Sequence, residues 1–187
     1  ANNNKVYNLN LSAVKQATSY WCGPASAYMV VAKAVRGANV SQSKMASLMD
    51  TDVNGTYLSN IPKGLNHYMP NNYKYYQTDG SNSTAEAIKM TNSAIGTLSS
   101  GYGVVYDTVQ RARGSARLVG YSNLTRDVYH YIAGEGYDVT DASNRKCYYV
   151  DPHNTRTDAY GHHTIAFRTL CTLMSDENGT SPLGLVF

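Results

Sequence analysis

Charge is scarce in this chain. Only 16% of its 187 residues are Asp, Glu, Lys or Arg, and the formal net charge is +3. A balance that small gives no electrostatic grip on nucleic acid. The densest basic stretch, Arg111 to Arg117, holds three arginines and reads as a solvated loop. No run approaches the ~18 consecutive apolar residues needed to cross a membrane. Internal repeats, low-complexity tracts and linkers are also missing, so the sequence reads as one domain over 1–187, long enough to bury a core. There are 2 Phe and 1 Trp against 17 Tyr, so tyrosine supplies nearly all the aromatic surface. The first residues, ANNNKVYNL, carry no basic-then-apolar secretory signal. They fit a mature end left by signal cleavage or an arbitrary segment end. With its Asn, Ser, Thr and Tyr richness, the composition suggests a secreted bacterial protein.

Cysteine is scarce and odd in number: Cys22, Cys147 and Cys171. If one is a free nucleophile, the other two either form a disulfide or are buried, inert thiols. No spaced Cys/His ligand set is present. The densest group, Asp151, His153, His162 and His163, contains two neighbours that point to opposite faces of a strand. Neither a metal nor another cofactor is expected.

What is present centres on Gln16 to Val35, QATSYWCGPASAYMVVAKAV. Gly23 and Pro24 suit a helix start, where proline's missing N–H is not needed. From Ala25 onward, Ala27, Val30, Val31 and Ala34 recur at helical spacing. Cys22 is therefore placed at a helix N-terminus, whose positive end favours thiolate. That helix is expected to end near Arg36-Gly37. Further helices are expected from Ser41, from Leu58 to about Met69, and from a Ser83-Thr84 cap to Leu98.

The second half changes period. Strands are expected at Gly101 to Val109, Val128 to Tyr137, Lys146 to Val150 and His163 to Thr169. Shorter ones are expected in Lys5 to Ser12, Asn72 to Gln77 and Leu118-Val119. Helices first and an antiparallel sheet afterwards is α+β organisation.

A thiol nucleophile needs a base or ion-pair partner. Of five histidines, His67 reads as surface, and His130 opens an apolar, glycine-containing strand. If Val128–Tyr137 and Lys146–Val150 form a hairpin centred near Asp141, opposing residue numbers sum to about 281–283, which sets His130 opposite Asp151 or a close neighbour. A carboxylate there can orient the imidazole; Asn154 is the alternative. A similar count places Cys147 opposite about residue 166, leaving Cys171 too far for a bridge unless the chain bends.

Gln16 followed six positions later by Cys22-Gly23-Pro24-Ala25, then HYIAGEGYD (His130 to Asp138) and YVDP (Tyr149 to Pro152), resembles the papain-like cysteine peptidases, and within them the C39-like relatives of bacteriocin-processing domains. The resemblance implies a papain-like fold with an N-terminal helical part packed on a C-terminal antiparallel sheet. It implies a peptide or protein substrate cleaved through a thioacyl-enzyme, with Cys22 as nucleophile, His130 as its partner, Asp151 as orienter and Gln16 in the oxyanion hole. Acyl transfer to an amine on the same machinery, and a non-catalytic binding module, are the alternatives. Transporter-linked members cut after paired glycines, but this chain carries no transporter segment. Tyr20, Tyr102, Tyr129 and Tyr131 either line an aromatic cleft or belong to the core.

Overall fold

A computed structural model describes residues 3–81, 83–175 and 183–187. The helix carrying the cysteine, α1 (Cys22–Ala34), begins at Cys22 itself and is buried along most of its length. Gly23 is required by packing: a Cβ there would lie 2.8 Å from Thr56 Oγ1 and 3.3 Å from the Tyr131 ring. Helix α2 (Gln42–Leu48) is capped by Ser41, whose hydroxyl accepts from Lys44 N–H. A 3₁₀ turn (Leu58–Asn60) leads into α3 (Ile61–Tyr68). Ser83 caps α4 (Thr84–Ser99) by accepting from Glu86 N–H.

The sheet is antiparallel throughout. Its strands are β1 (Val6–Asn8), β2 (Gln77–Asp79), β3 (Val104–Gln110), β4 (Val128–Asp138), β5 (Lys146–Asp151), β6 (Gly161–Ala166) and β7 (Gly184–Val186). They run in the order β2-β7-β3-β4-β5-β6, and β1 pairs with the end of β4. Helix α1 lies against β4, and α4 packs on β4 and on α5 (Phe167–Leu173).

Register decides which side chains meet. Strands β4 and β5 pair Asp138 with Lys146 through Gly136 with Tyr148, then shift to Gly134 with Tyr149 and Ala133 with Val150. Glu135 is the extra residue, a β-bulge between two glycines. Its carboxylate accepts from Leu11 N–H (2.9 Å) and bonds His162 Nδ1 (2.6 Å). On the outer side, Gly136 lets β1 approach: a Cβ would meet Tyr7 O at 2.2 Å.

Three expectations are corrected. The His163 to Thr169 run leaves the sheet at Ala166 and becomes α5. Its first residue, Phe167, donates its N–H to Arg145 O, where the β5 ladder ends. Residues 72–76 precede β2 rather than forming a strand, although Tyr76 and Phe187 exchange backbone hydrogen bonds. Leu118 and Val119 lie in a loop: Leu118 N–H is taken by the Gln110 side chain and Val119 N–H by Tyr149 Oη, so neither joins a ladder. Cys147 faces Ile165 across β5–β6, and all three cysteines are free thiols.

Candidate active site

Three of the four residues singled out from sequence come together. The His130 imidazole lies close enough to Cys22 for each to shift the other's ionisation, and its Nε2 lies 2.7 Å from Asp151 Oδ1. His130 is 4% exposed and Asp151 0%. Cys22 Sγ also accepts from Tyr131 N–H at 3.4 Å. With Nε2 committed to the carboxylate, Nδ1 is the nitrogen left for the sulfur.

Each charge state follows from its surroundings. Burial pushes the Cys22 thiol up. The charge and hydrogen bond of His130, with the N–H groups of Tyr131 and Gly23, outweigh it and hold the thiol below its ordinary value. Burial likewise disfavours imidazolium at His130, but the Asp151 charge and then Cys22 overcome it, and the group is pushed up to about 10. Asp151 is buried too, yet His130, His153 N–H and the Tyr121 hydroxyl keep its carboxyl below the usual range. Both shifts favour thiolate beside imidazolium.

Two residues of this site have roles that the sequence does not announce. Tyr121 donates its hydroxyl to Asp151 Oδ2 (2.9 Å), filling the carboxylate's second oxygen. His153 donates its N–H to Asp151 Oδ1 (2.8 Å), and its Nδ1 accepts from Thr155 N–H and Arg156 N–H. Burial, then the neighbouring His130 charge, push His153 down to about 4, so it stays neutral. Its ring and that of Tyr121 lie 5.4 and 5.8 Å from His130, walling it from water. Asp151, not Asn154, holds the imidazole.

Gln16 is not bonded to any of the three. It is 4% exposed, its Nε2 donates to Thr18 O (2.8 Å), and its Oε1 has no partner. Its backbone N–H donates to Pro152 O (2.8 Å), which fixes it next to Asp151. The second Nε2 hydrogen is uncommitted.

A groove of about 470 Å³ opens beside Cys22. Tyr129 and Tyr131 line it; Tyr102 instead stacks on Tyr73 and Tyr20 packs edge-on against Trp21. His67 is exposed. His162 and His163 diverge, one to Glu135 and one to Ala159 O. Among the described residues no group of three or more His, Cys, Asp or Glu is placed to hold a metal ion.

A cysteine-bearing helix start set against an antiparallel sheet that carries the histidine defines the papain-like cysteine proteases. Bromelain from Ananas comosus, solved with the E64 inhibitor, superimposes with a TM-score of 0.55 at 11% identity, covering 98% of this chain and 98% of that one. Within this class the chain belongs to the Peptidase_C39 like family, whose profile matches residues 8–170, and it is accordingly a cysteine-type peptidase. A C39-like peptidase from Bacillus anthracis matches with a TM-score of 0.58 and 17% identity over 97% of this chain and 95% of that one. A double glycine motif protease from an AMS/PCAT transporter, in complex with the leader peptide, matches with a TM-score of 0.53 and 13% identity over 96% and 90%. No curated protein sequence matches.

Proposed function

We propose that this cysteine peptidase hydrolyses peptide bonds through a thioacyl-enzyme formed on Cys22, with His130, Asp151 and Gln16 in the roles the resemblance implies. The single observation that carries the reading is His130, bonded to Asp151 Oδ1 at 2.7 Å and near enough to Cys22 that each shifts the other's ionisation. The thiolate attacks the carbonyl carbon, and the carbonyl oxygen takes the negative charge. Backbone N–H of Cys22 and the free hydrogen of Gln16 Nε2 are the donors available to it. The His130 imidazolium gives its proton to the departing amine as the C–N bond breaks. Water then attacks the thioester, His130 takes a proton from it, and the acid leaves with Cys22 restored as thiolate. Asp151 keeps Nε2 occupied throughout, so only Nδ1 exchanges protons. A peptide substrate is supported by the neighbour solved with its leader peptide. A subsite made for glycine needs no side-chain space, and the groove here has room for more.

The test is cleavage of a diverse peptide library with Cys22→Ala as blank, and intact-mass analysis of quenched reactions. Cleavage with a thioester adduct on Cys22 is the expected outcome. Cleavage that survives Cys22→Ala would overturn the reading.

A further inference from the structure

The groove beside Cys22 has an unusual lining. One wall is the loop from Asp52 to Ser59, and the other is Asp107 of β3 with Tyr129 and Tyr131 of β4. Its described residues include two carboxylates and three tyrosines, and neither lysine nor arginine. Tyr57 and Tyr129 are exposed, at 68% and 52%.

Asp107 is the singular member. It interrupts an apolar strand, VVYDTVQ, every residue of which is buried, and is itself 7% exposed. Burial, and then the nearby Cys22 sulfur, push its carboxyl well above the usual range. The hydroxyl that eases its charge is that of Tyr131. That hydroxyl has one hydrogen and stands 2.7 Å from Thr56 O, which can only accept. Spent on Thr56, that hydrogen leaves Asp107 without a full donor from Tyr131. The cation that eases its charge is His130, already shared between Cys22 and Asp151. Arg111, near the rim, is held 2.8 Å from Asp127. An acid kept in an apolar wall without a cation of its own carries a desolvation penalty. A cation arriving in the groove would relieve it.

We infer that this groove selects a substrate side chain carrying positive charge, lysine or arginine, at one of the two positions N-terminal to the cleaved bond, and that Asp107 sets the preference. The methylene stem of such a side chain lies against Tyr57 and Leu58, and the charged end meets Asp107. As the cation enters, the Asp107 proton passes to solvent and the two charges pair. The inference rests on the thioacyl reading and adds a substrate class to it.

The test uses dipeptidyl chloromethyl ketones, in which Cys22 displaces chloride and forms an S–C bond. Probes carry lysine or its uncharged isostere norleucine at either position, and labelling of Cys22 is followed by intact mass. The ratio of the two rates is read, because it does not depend on the fraction of protein folded. The wild-type ratio should favour lysine by at least about 10-fold at one position, as expected when a buried polar group is left unpaired by the analogue. Asp107→Asn should bring the ratio near one, and Asp107→Glu should retain the preference. A wild-type ratio at or below one, or a ratio unchanged in Asp107→Asn, overturns the inference while Cys22 labelling still stands for the nucleophile. If neither probe nor iodoacetamide labels Cys22, the proposed function falls and the inference with it.

Discussion

Asp151 reaches His130 along a diagonal of the sheet. With Ala133 opposite Val150, it is Ile132 that lies across from Asp151, and His130 is two residues further along. Diagonal neighbours are ~7–8 Å apart at Cα, a span that an imidazole and a carboxylate close to 2.7 Å. The contact depends on the bulge. Had the pairing run on from Gly136 with Tyr148 through Glu135 with no shift, Asp151 would lie across from residue 133 and point to the opposite face from His130.

Glu135 holds that bulge, so its loss should cost stability and turnover together. Glu135→Ala leaves Leu11 N–H without its acceptor and His162 without its partner, at about 1–3 kcal/mol. Thermal unfolding by circular dichroism should show a fall in Tm of several degrees, smaller for Glu135→Gln, which keeps an acceptor. An unchanged Tm in Glu135→Ala would mean the backbone holds the bulge unaided.

The three cysteines should separate cleanly in reactivity. Burial pushes Cys147 up to about 12 and raises Cys171 as well, while Cys22 is lowered. Iodoacetamide should therefore modify Cys22 first, with a rate that persists below pH 7, as peptide mapping would record. Equal reaction at all three sites would remove Cys22 from its role.

Turnover and alkylation should part company in base. Turnover needs the thiolate and the imidazolium at once, so kcat/KM rises as pH climbs past the lowered thiol value and falls as it passes through about 10, where His130 loses its proton. Alkylation needs only the thiolate and keeps its plateau. In His130→Ala the alkylation midpoint should move upward, toward that of an ordinary thiol. A pH–rate profile for each reaction checks the pair; coincident alkaline limbs would contradict it.

Gln16 separates geometry from nucleophilicity. Loss of one oxyanion donor costs about 10²–10³ in kcat, and Gln16→Ala should show that with little change in KM. Alkylation builds no carbonyl oxyanion and should be nearly unaffected. Full turnover in Gln16→Ala would reduce the residue to its bond with Thr18.

The parts legible in sequence were those with short-range causes. Cys22-Gly23-Pro24 announced a helix start, and Ser41 and Ser83 announced theirs, because caps act within one turn. The hairpin count found Asp151 from the even spacing of two runs, but it could not see the bulge. GEG offers no alternation, and Glu135 is placed by Leu11 and His162 from distant segments. Tyr121 sits in a loop with no period, so nothing local tied it to Asp151. Asp107 does leave a signal, a lone acid in a buried strand, though nothing local ties it to Cys22. Helix α5 hid because HHTIAFRTL is rich in strand-forming residues; the turn at Phe167 is imposed where β5 ends. Strand β7 was too short to register.

β1 lies at the front of the chain and its partner, β4, well past the middle: Val6 faces Asp138, and Gln16 N–H binds Pro152 O. On the ribosome, the segment bearing Cys22 emerges first and finds neither. Closing so long a loop waits for the second half of the chain, and contacts of that separation form slowly. On the proposed mechanism the thiol is armed only when both halves meet, and the growing chain should be spared from its own cleavage. Split in the exposed turn at Asp141 to Asn144, its two fragments should each be inert and regain activity only on mixing.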